Sequence, residues 1–383
     1  MTEKEYRVAV IPGDGIGIEV TAEAKKVVSA ASGIFGFSVD WTDYPFGADH
    51  YLSTGEVLSE SFLEEAKGFD ALLLGAIGDP RVKPGILERG ILLTLRFAFD
   101  QYVNLRPAKA FPKVPLPVDP GGARLDTVVV RENTEDFYMG IGGVSLEGRV
   151  EFPVACHRAA YALDGKVSAE TDPPVPMAVQ LGIATKPGIE RIARYAGLLA
   201  RKRGEDRVTL VTKSNALPQI YGFWEEVAEA VFASEFPGLV LEKANVDALC
   251  YHLVRKPAAY GVLLCPNMFG DIVSDLLAGL SGGLGMAAGA DIGPGLSMFE
   301  PVHGSAPDIA GQGKANPLAA ILTAALMLDH LGETEAARAV EKAVEVFLAE
   351  SPPEDLPVEL GGRASTEEVG LGVIRSLEGI SKE

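Results

Sequence analysis

The stretch CPNMFGDIVSD, residues 265–275, ends an apolar run with Asp271 and Asp275 four positions apart. That interval is one helical turn, so both carboxylates face a single point. Asp247 lies on another segment and is a third acid able to meet them. Hard carboxylate oxygens with no His or Cys nearby in sequence suit Mg²⁺ or Mn²⁺. The competing reading is a solvated helix face, and spacing alone favours it, because such acid pairs are common on exposed helices. Three arginines shift the balance. LRFAFDQYVNLRP sets Arg96 and Arg106 in an otherwise mainly apolar segment, and Arg131 follows the TVVV run directly. The guanidinium fork makes paired, charge-assisted bonds to a carboxylate. Singly, each reads as a surface ion-pair residue; as a trio at the edges of buried segments they point to a dianionic ligand. Lys213, after VTLVT, and Tyr138, in RENTEDFYMG, can complete a site as base and acid. A lysine acts as a base only after losing its proton, which a neighbouring cation favours. Tyr138 reads equally well as a core tyrosine with a satisfied hydroxyl.

The elements that must position these groups follow from the runs between them. VAVI at 8–11, ALLL at 71–74, TVVV at 127–130, VTLV at 208–211 and VLLC at 262–265 alternate with longer helical patterns, which predicts an α/β protein with buried strands. Several runs stop at polar residues, and in open α/β sheets ligands collect beyond the carboxyl ends of strands. Residues 334–350 read as a helix capped by Thr334, with Ala336, Ala339, Val340, Ala343, Val344, Phe347 and Leu348 on one face. Asn316-Pro317 opens another helix, apolar nearly all round and therefore buried. Residues 141–178 are rich in Gly and Pro and read as an extended arm in the middle of the chain. IPGDGIGIEV follows a strand and opens a helix but fails the dinucleotide fingerprint, because the position that requires the third glycine holds Ile18. A tight structural turn and a ligand-facing loop stay equally open there. FEPVHGSAPDIAGQGKANP, at 299–317, sets His303, Asp308 and Asn316 among small residues that allow a flat ligand to approach, and an acid can take a ribose diol.

Composition bounds the partners. With 383 residues, 47% of them hydrophobic, the chain is long enough for two domains or one large α/β unit. The 53 acids against 34 bases leave a net charge of -19, which argues against nucleic acid or an anionic membrane as partner. The three cysteines, Cys156, Cys250 and Cys265, are odd in number and widely spaced, as in reduced packing residues. The first residues pass from charge straight into a strand, and the longest apolar stretch, 317–328, is too short to span a bilayer. A soluble cytoplasmic protein is expected.

Together these residues resemble the β-decarboxylating dehydrogenases, the family of isopropylmalate, isocitrate, homoisocitrate, tartrate and D-malate enzymes, over nearly the whole chain and in order. IPGDGIGIEV resembles the family's opening turn, with Ile18 where proline is usual. LGAIGDP, at 74–80, resembles the loop beside the nicotinamide and brings in Ala76 and Ile77. The resemblance implies a substrate clamp of Arg96, Arg106 and Arg131, an acid in Tyr138, a proton-accepting Lys213, and metal ligands in Asp247, Asp271 and Asp275. It implies cofactor contacts at His303, Gly304, Ala306, Asp308, Ile309 and Asn316. The fold it implies is the two-domain α/β fold of isopropylmalate dehydrogenase, distinct from the Rossmann fold. Residues 1–101 and 282–383 would form the larger cofactor domain, and 102–281 the smaller substrate and dimerisation domain with its arm at 141–178. A homodimer is implied, with Lys213 and Asp247 donated across the interface. NADP-using isocitrate enzymes carry Lys-Tyr where this chain has Asp308-Ile309. Asp308 would repel a 2′-phosphate by roughly 4 kcal/mol per charge pair near about 4 Å at a surface-like dielectric. NAD is expected, with Mg²⁺ or Mn²⁺.

Substrate choice in this family falls to the segment before Arg96, LERGILLTLR. Gly90 and Leu92 stand where one isocitrate subgroup has Ser and Asn, and Leu92 with Leu93 resembles the aliphatic floor of isopropylmalate enzymes. RENTEDFY, however, is not the RELTGG version usual in isopropylmalate enzymes, and FDQYVNLRP is closest to the tartrate and D-malate branch. A malate-type substrate, D-malate or tartrate, is therefore favoured, with 3-isopropylmalate next and isocitrate or homoisocitrate behind. A Mg²⁺-dependent phosphate-handling enzyme is the reading from a different class, since it too would use acids, arginines and Gly-rich turns.

Overall fold

The VAVI run becomes the centre of a strand, Lys4–Gly13, whose Val8, Ala9, Val10 and Ile11 are wholly buried. Such continuous burial marks a strand covered on both faces. In this computed structural model, which describes residues 4–122, 125–158 and 161–381, the chain divides into two compact units. Met1–Gln101, Leu105–Asp126 and Asp275–Glu383 make the first; Tyr102–Asn104 and Thr127–Ser274 make the second. The sequence placed the later boundary at 281/282. It falls instead inside the helix Asn267–Ser281, and residues 105–126 join the first unit. No Pro, Gly-rich or polar break marks a boundary that runs through an unbroken helix.

In the first unit the strands Phe37–Asp43, Lys4–Gly13, Ala71–Ala76 and Met298–Pro301 lie side by side and parallel, and Ala288–Ile292 pairs antiparallel with the last of them. The helix Gly17–Phe35 lays Val20, Ala24, Val27, Val28 and Ala31 into the core. Leu318–His330 is buried nearly all round, as its composition requires. Its entry differs by one position from expectation. The helix starts at Leu318, and Asn316 Oδ1 accepts from the Leu318 N–H at 3.1 Å from just outside it. Thr334–Glu350 begins with Thr334 inside the helix rather than capping it, and Ala337 is buried where Ala339 was expected, Ala339 being half-buried.

The glycines of IPGDGIG serve a structural turn, while Ile16 of the same loop also lines a cavity. Gly13 and Gly15 have φ of +71° and +58°, and a Cβ on either would run into the carbonyl oxygens of Ala76 and Ser305. Those carbonyls accept from Asp14 N and Ile16 N, each at 2.8 Å. Between the glycines, Asp14 turns its carboxylate inward: Oδ1 accepts from Ala48 N at 2.7 Å and Oδ2 from Gly78 N at 2.8 Å.

In the second unit the strands Val240–Asn245, Arg207–Thr212, Val262–Cys265 and Asp126–Glu132 lie in that order, all parallel. The helix Lys186–Arg203 starts at a Thr185 cap that accepts from Gly188 N. Residues 141–178 form two small antiparallel pairs: Arg149–His157 with Ala162–Glu170, and Gly142–Ser145 with Met177–Gln180. Val150, Phe152, Val154 and Cys156 are buried between exposed neighbours, the period-two pattern of a half-covered strand. The three cysteines are unpaired thiols; burial pushes the Cys265 thiol up, as befits a packing residue. Among the described residues no helix is long and apolar enough to cross a membrane.

Candidate active site

Arg131 leaves the buried strand Asp126–Glu132 and lies along the first turn of the helix Asn267–Ser281. Its stem takes the space a side chain at Gly270 would need: a Cβ there would sit 2.5 Å from Arg131 Cγ. Only 1% exposed, the arginine donates through Nε to the carbonyl and Oδ1 of Asn267, at 2.9 and 3.0 Å, and through a terminal nitrogen to Asp271 Oδ1 at 2.6 Å. Tyr138 Oη donates to the other oxygen of the same carboxylate, and the Arg131 guanidinium sits 5.0 Å from the Tyr138 ring centre. Arginine, tyrosine and acid, 131, 138 and 271, are thereby gathered at one point, a proton-bearing hydroxyl beside a fixed cation. Tyr138 is 37% exposed, so the core-tyrosine reading does not hold.

Lys213, at the end of the strand Arg207–Thr212, pairs with Asp247 at 2.7 Å. Hydrogen bonding to that ammonium holds the Asp247 carboxyl below its ordinary range. Asp275 pairs with Arg106 at 3.6 Å and is 64% exposed. The three expected metal ligands are thus not one cluster within the chain, and among the described residues no group of three His, Cys, Asp or Glu side chains could hold a metal. The chemistry of Asp271 and Asp275 fits a hard divalent cation, since both present carboxylate oxygens one turn apart on one helix.

Arg96 is nearly buried between two acids that sequence reasoning missed: Asp291, 3.5 Å from Nε, and Glu300, 3.0 Å from a terminal nitrogen. Burial and the adjacent Asp291 push the Glu300 carboxyl up to about 7. The signal was present as an acid in each of two adjacent strands, Ala288–Ile292 and Met298–Pro301, but nothing local ties positions so far along the chain to Arg96. Leu92 and Leu93 lie in a π-helical turn, Glu88–Leu93, with Leu92 against the core that holds Ile91, Leu95 and Phe46. Gly90 has no room for a side chain, because Val57 methyls press on it.

A cavity of about 420 Å³ in the first unit is lined by His303, Gly304, Ala306, Ile309 and Asn316, with Ile16 and Ile309 supplying apolar wall. That volume and lining suit a nucleoside. Burial keeps the His303 imidazole below its ordinary range, so the ring is neutral, with Nδ1 3.0 Å from the Gly304 carbonyl. Asn316 is largely committed to structure: besides capping Leu318 it donates through Nδ2 to Glu359 at 2.9 Å. Asp308 is exposed, its carbonyl accepting from Gln312 Nε2. A second cavity, about 460 Å³, is lined by Gly78, Asp79, Leu87, Glu88 and Ser305. Gly78 lines it rather than Ala76 or Ile77: Ala76 is buried and its carbonyl pins the opening loop, and Ile77 packs on the core.

RENTED departs from RELTGG at Asn133, Glu135 and Asp136, while Glu132 is common to both. In the structure both glutamates turn into the body of the second unit. Glu132 accepts from Thr134 N, Thr134 Oγ1 and Glu135 N, and burial, then the neighbouring Glu135, pushes its carboxyl up to about 7. Glu135 accepts from Thr185 and Tyr161. Both carboxylates are thus spent on internal partners of this unit.

Residues 7–373 match the isocitrate/isopropylmalate dehydrogenase family. The 3-isopropylmalate dehydrogenase of Thermobifida fusca (strain YX) is 42% identical over 374 residues, covering 97% of each chain. That of Clavibacter michiganensis subsp. michiganensis is 45% identical over 376 residues, 96% of this chain and 97% of the relative. Among solved structures, isocitrate dehydrogenase from Methylococcus capsulatus has a TM-score of 0.81 at 34% identity, covering 97% of this chain and 99% of that one.

Proposed function

The chain belongs to the isocitrate/isopropylmalate dehydrogenase family, decarboxylating dehydrogenases of hydroxy acids, and from that premise we propose that it oxidises and decarboxylates 3-isopropylmalate with NAD and Mg²⁺ or Mn²⁺. The observation that carries the reaction type is the convergence of Arg131, Tyr138 and Asp271, which supplies a carboxylate-binding cation and a proton donor side by side. Two things support this substrate over the malate type. Sequence relatives of nearly full coverage are named 3-isopropylmalate dehydrogenase. Glu135, one of the positions where RENTED departs from RELTGG, is internal, and Leu92 offers an apolar wall to an alkyl branch on carbon 3, while Leu92 and the Val57-packed Gly90 offer no partner for the third carboxylate of isocitrate.

Arg96, Arg106 and Arg131 hold the two carboxylates of the hydroxy acid and orient its hydroxyl-bearing carbon. Lys213, in its uncharged form, takes the hydroxyl proton as hydride leaves that carbon, and CO₂ then departs from the resulting β-keto acid. Tyr138 delivers a proton to the carbon that CO₂ vacates. When bound, NAD accepts the hydride and the divalent cation, held by Asp271 and Asp275, supplies Lewis acidity at the substrate oxygens. Lys213 and Asp247 form a single ion pair, so they act together, and in a homodimer they complete the partner's site. Tyr251 and Val254, exposed on the helix that carries Asp247, are apolar surface that such a contact would cover.

A panel of 3-isopropylmalate, D-malate, tartrate, isocitrate and homoisocitrate, followed by NADH absorbance with NAD and Mn²⁺, tests the reading. The highest kcat/KM is expected with 3-isopropylmalate. A higher value with D-malate or tartrate would restore the malate-type assignment, and phosphate release from a nucleotide without NADH would end the dehydrogenase one.

A further inference from the structure

We propose that Glu135 is a positioning residue that couples the hairpin Arg149–His157/Ala162–Glu170 to Tyr138 and Arg131. The inference rests on the roles given to those two residues above. Glu135 is one of the six residues between them, and its side chain and backbone point to different neighbours. Through Oε1 it accepts from Tyr161 Oη at 2.7 Å, at the turn end of the hairpin, and from Thr185 Oγ1. Through Oε2 it accepts from Thr185 N at 2.8 Å, at the N-terminus of the helix Lys186–Arg203, where the helix dipole favours an anion. Gly188 has no side chain because one would strike this carboxylate.

The backbone of the same residue faces the site. The Glu135 carbonyl accepts from Asn267 Nδ2 at 3.0 Å, which leaves Asn267 Oδ1 aimed at Arg131 Nε. The next residue, Asp136, is held at φ +64°, a conformation a non-glycine residue keeps only under constraint. Asp136 donates its N–H to the Ile183 carbonyl and accepts from Met268 N at 3.0 Å, on the turn that leads to Asp271. Two residues further on, Tyr138 reaches Asp271. One carboxylate thus fixes the turn end of the hairpin and a helix start, and the adjoining backbone fixes the amide that orients the arginine and the turn that carries the tyrosine.

Two variants separate coupling from general loosening. Tyr161→Phe removes the hairpin's bond to Glu135, together with a long contact to Cys156 Sγ inside the hairpin, far in sequence from the reacting groups; Glu135→Gln removes the charge. The first readout is amide hydrogen exchange of the protein without ligands. In both variants residues 134–139 and 185–189 are expected to exchange about tenfold faster or more, while the strand at 207–212 is unchanged. The second is deuterium uptake at carbon 3 of the 2-oxo acid product in D₂O, with NADH and Mn²⁺, which requires the Tyr138 proton transfer but no net hydride transfer. It should fall about tenfold in Glu135→Gln and several-fold in Tyr161→Phe, with KM for the hydroxy acid within about threefold. The double variant should be no slower than Glu135→Gln, as expected for two groups acting through one node. Unchanged protection of 134–139 in Tyr161→Phe, or effects that multiply in the double variant, would overturn the coupling. A wild-type protein that neither turns over hydroxy acids nor exchanges the product proton would sink the functional reading instead, and the amide exchange would still judge the coupling.

Discussion

Replacing Arg131 by lysine keeps the charge and removes the fork. The arginine is sealed in the second unit and spreads three donations over Asn267 O, Asn267 Oδ1 and Asp271 Oδ1. An ammonium can reach Asp271 or Asn267 but not all three positions, and Asn267 is itself buried. If the ion pair is kept, two acceptors lose their donor, at about 1–3 kcal/mol for each buried group left unmet. Relaxation and water entry reduce this to about 2–4 kcal/mol in total. The melting temperature of the ligand-free protein should fall by several degrees. On the substrate side, exchanging a paired charge-assisted contact for a single one removes about 1.5–3 kcal/mol, or roughly 10- to 100-fold in kcat/KM. Differential scanning fluorimetry without ligand and steady-state NADH production measure the two effects on one preparation. A melting point within about one degree of wild type together with a kcat/KM within about threefold would refute the view of Arg131 as a geometrically committed clamp.

Gly270→Ala tests the same clamp from the helix side. The gain of up to about 1 kcal/mol in helix propensity should be outweighed by the 2.5 Å approach of the new Cβ to Arg131 Cγ, lowering both stability and kcat/KM. The Glu300 carboxyl is raised from its ordinary 4.5 to about 7, so the folded protein holds this proton in a window where the unfolded chain has released it. Unfolding free energy should therefore fall as pH rises from about 4.5 to 7 and level off above, and Glu300→Gln should flatten that slope in urea titrations at each pH. Asp308→Lys should lower KM for NADP at least about tenfold relative to KM for NAD, because it exchanges a repelling carboxylate for an attracting ammonium. An unchanged ratio would remove Asp308 from cofactor choice.

What the sequence disclosed depended on whether the decisive neighbours were local. Asp271 and Asp275 share a helix, so four-residue spacing was enough to set them on one face, and the buried strands declared themselves through unbroken runs such as Val8–Ile11. Arg96, Arg106 and Arg131 were visible as charges at the edges of apolar segments, but not their acid partners. Asp291 and Glu300 reach Arg96 only because strands far along the chain come back beside it. The settings of Glu132 and Glu135 were hidden for a related reason. A carboxylate in a motif looks available to a ligand, and only the fold reveals that Thr134, Thr185 and Tyr161 already satisfy it. Asn316 shows the opposite economy, since the residue that reads as a helix cap is one, displaced by a single position.

The aspartate between the first two glycines has a consequence for what this loop can bind. In a glycine-rich loop that grips a phosphate, free amides converge on the ligand's oxygens. Here the amides of Ala48 and Gly78 are met by Asp14 from within the chain, so neither is open to an outside oxyanion. The glycines let three loops close on one another, and the carboxylate between them ties two of those loops down. Cutting that side chain back to alanine would open a small oxyanion receptor where the native protein has none.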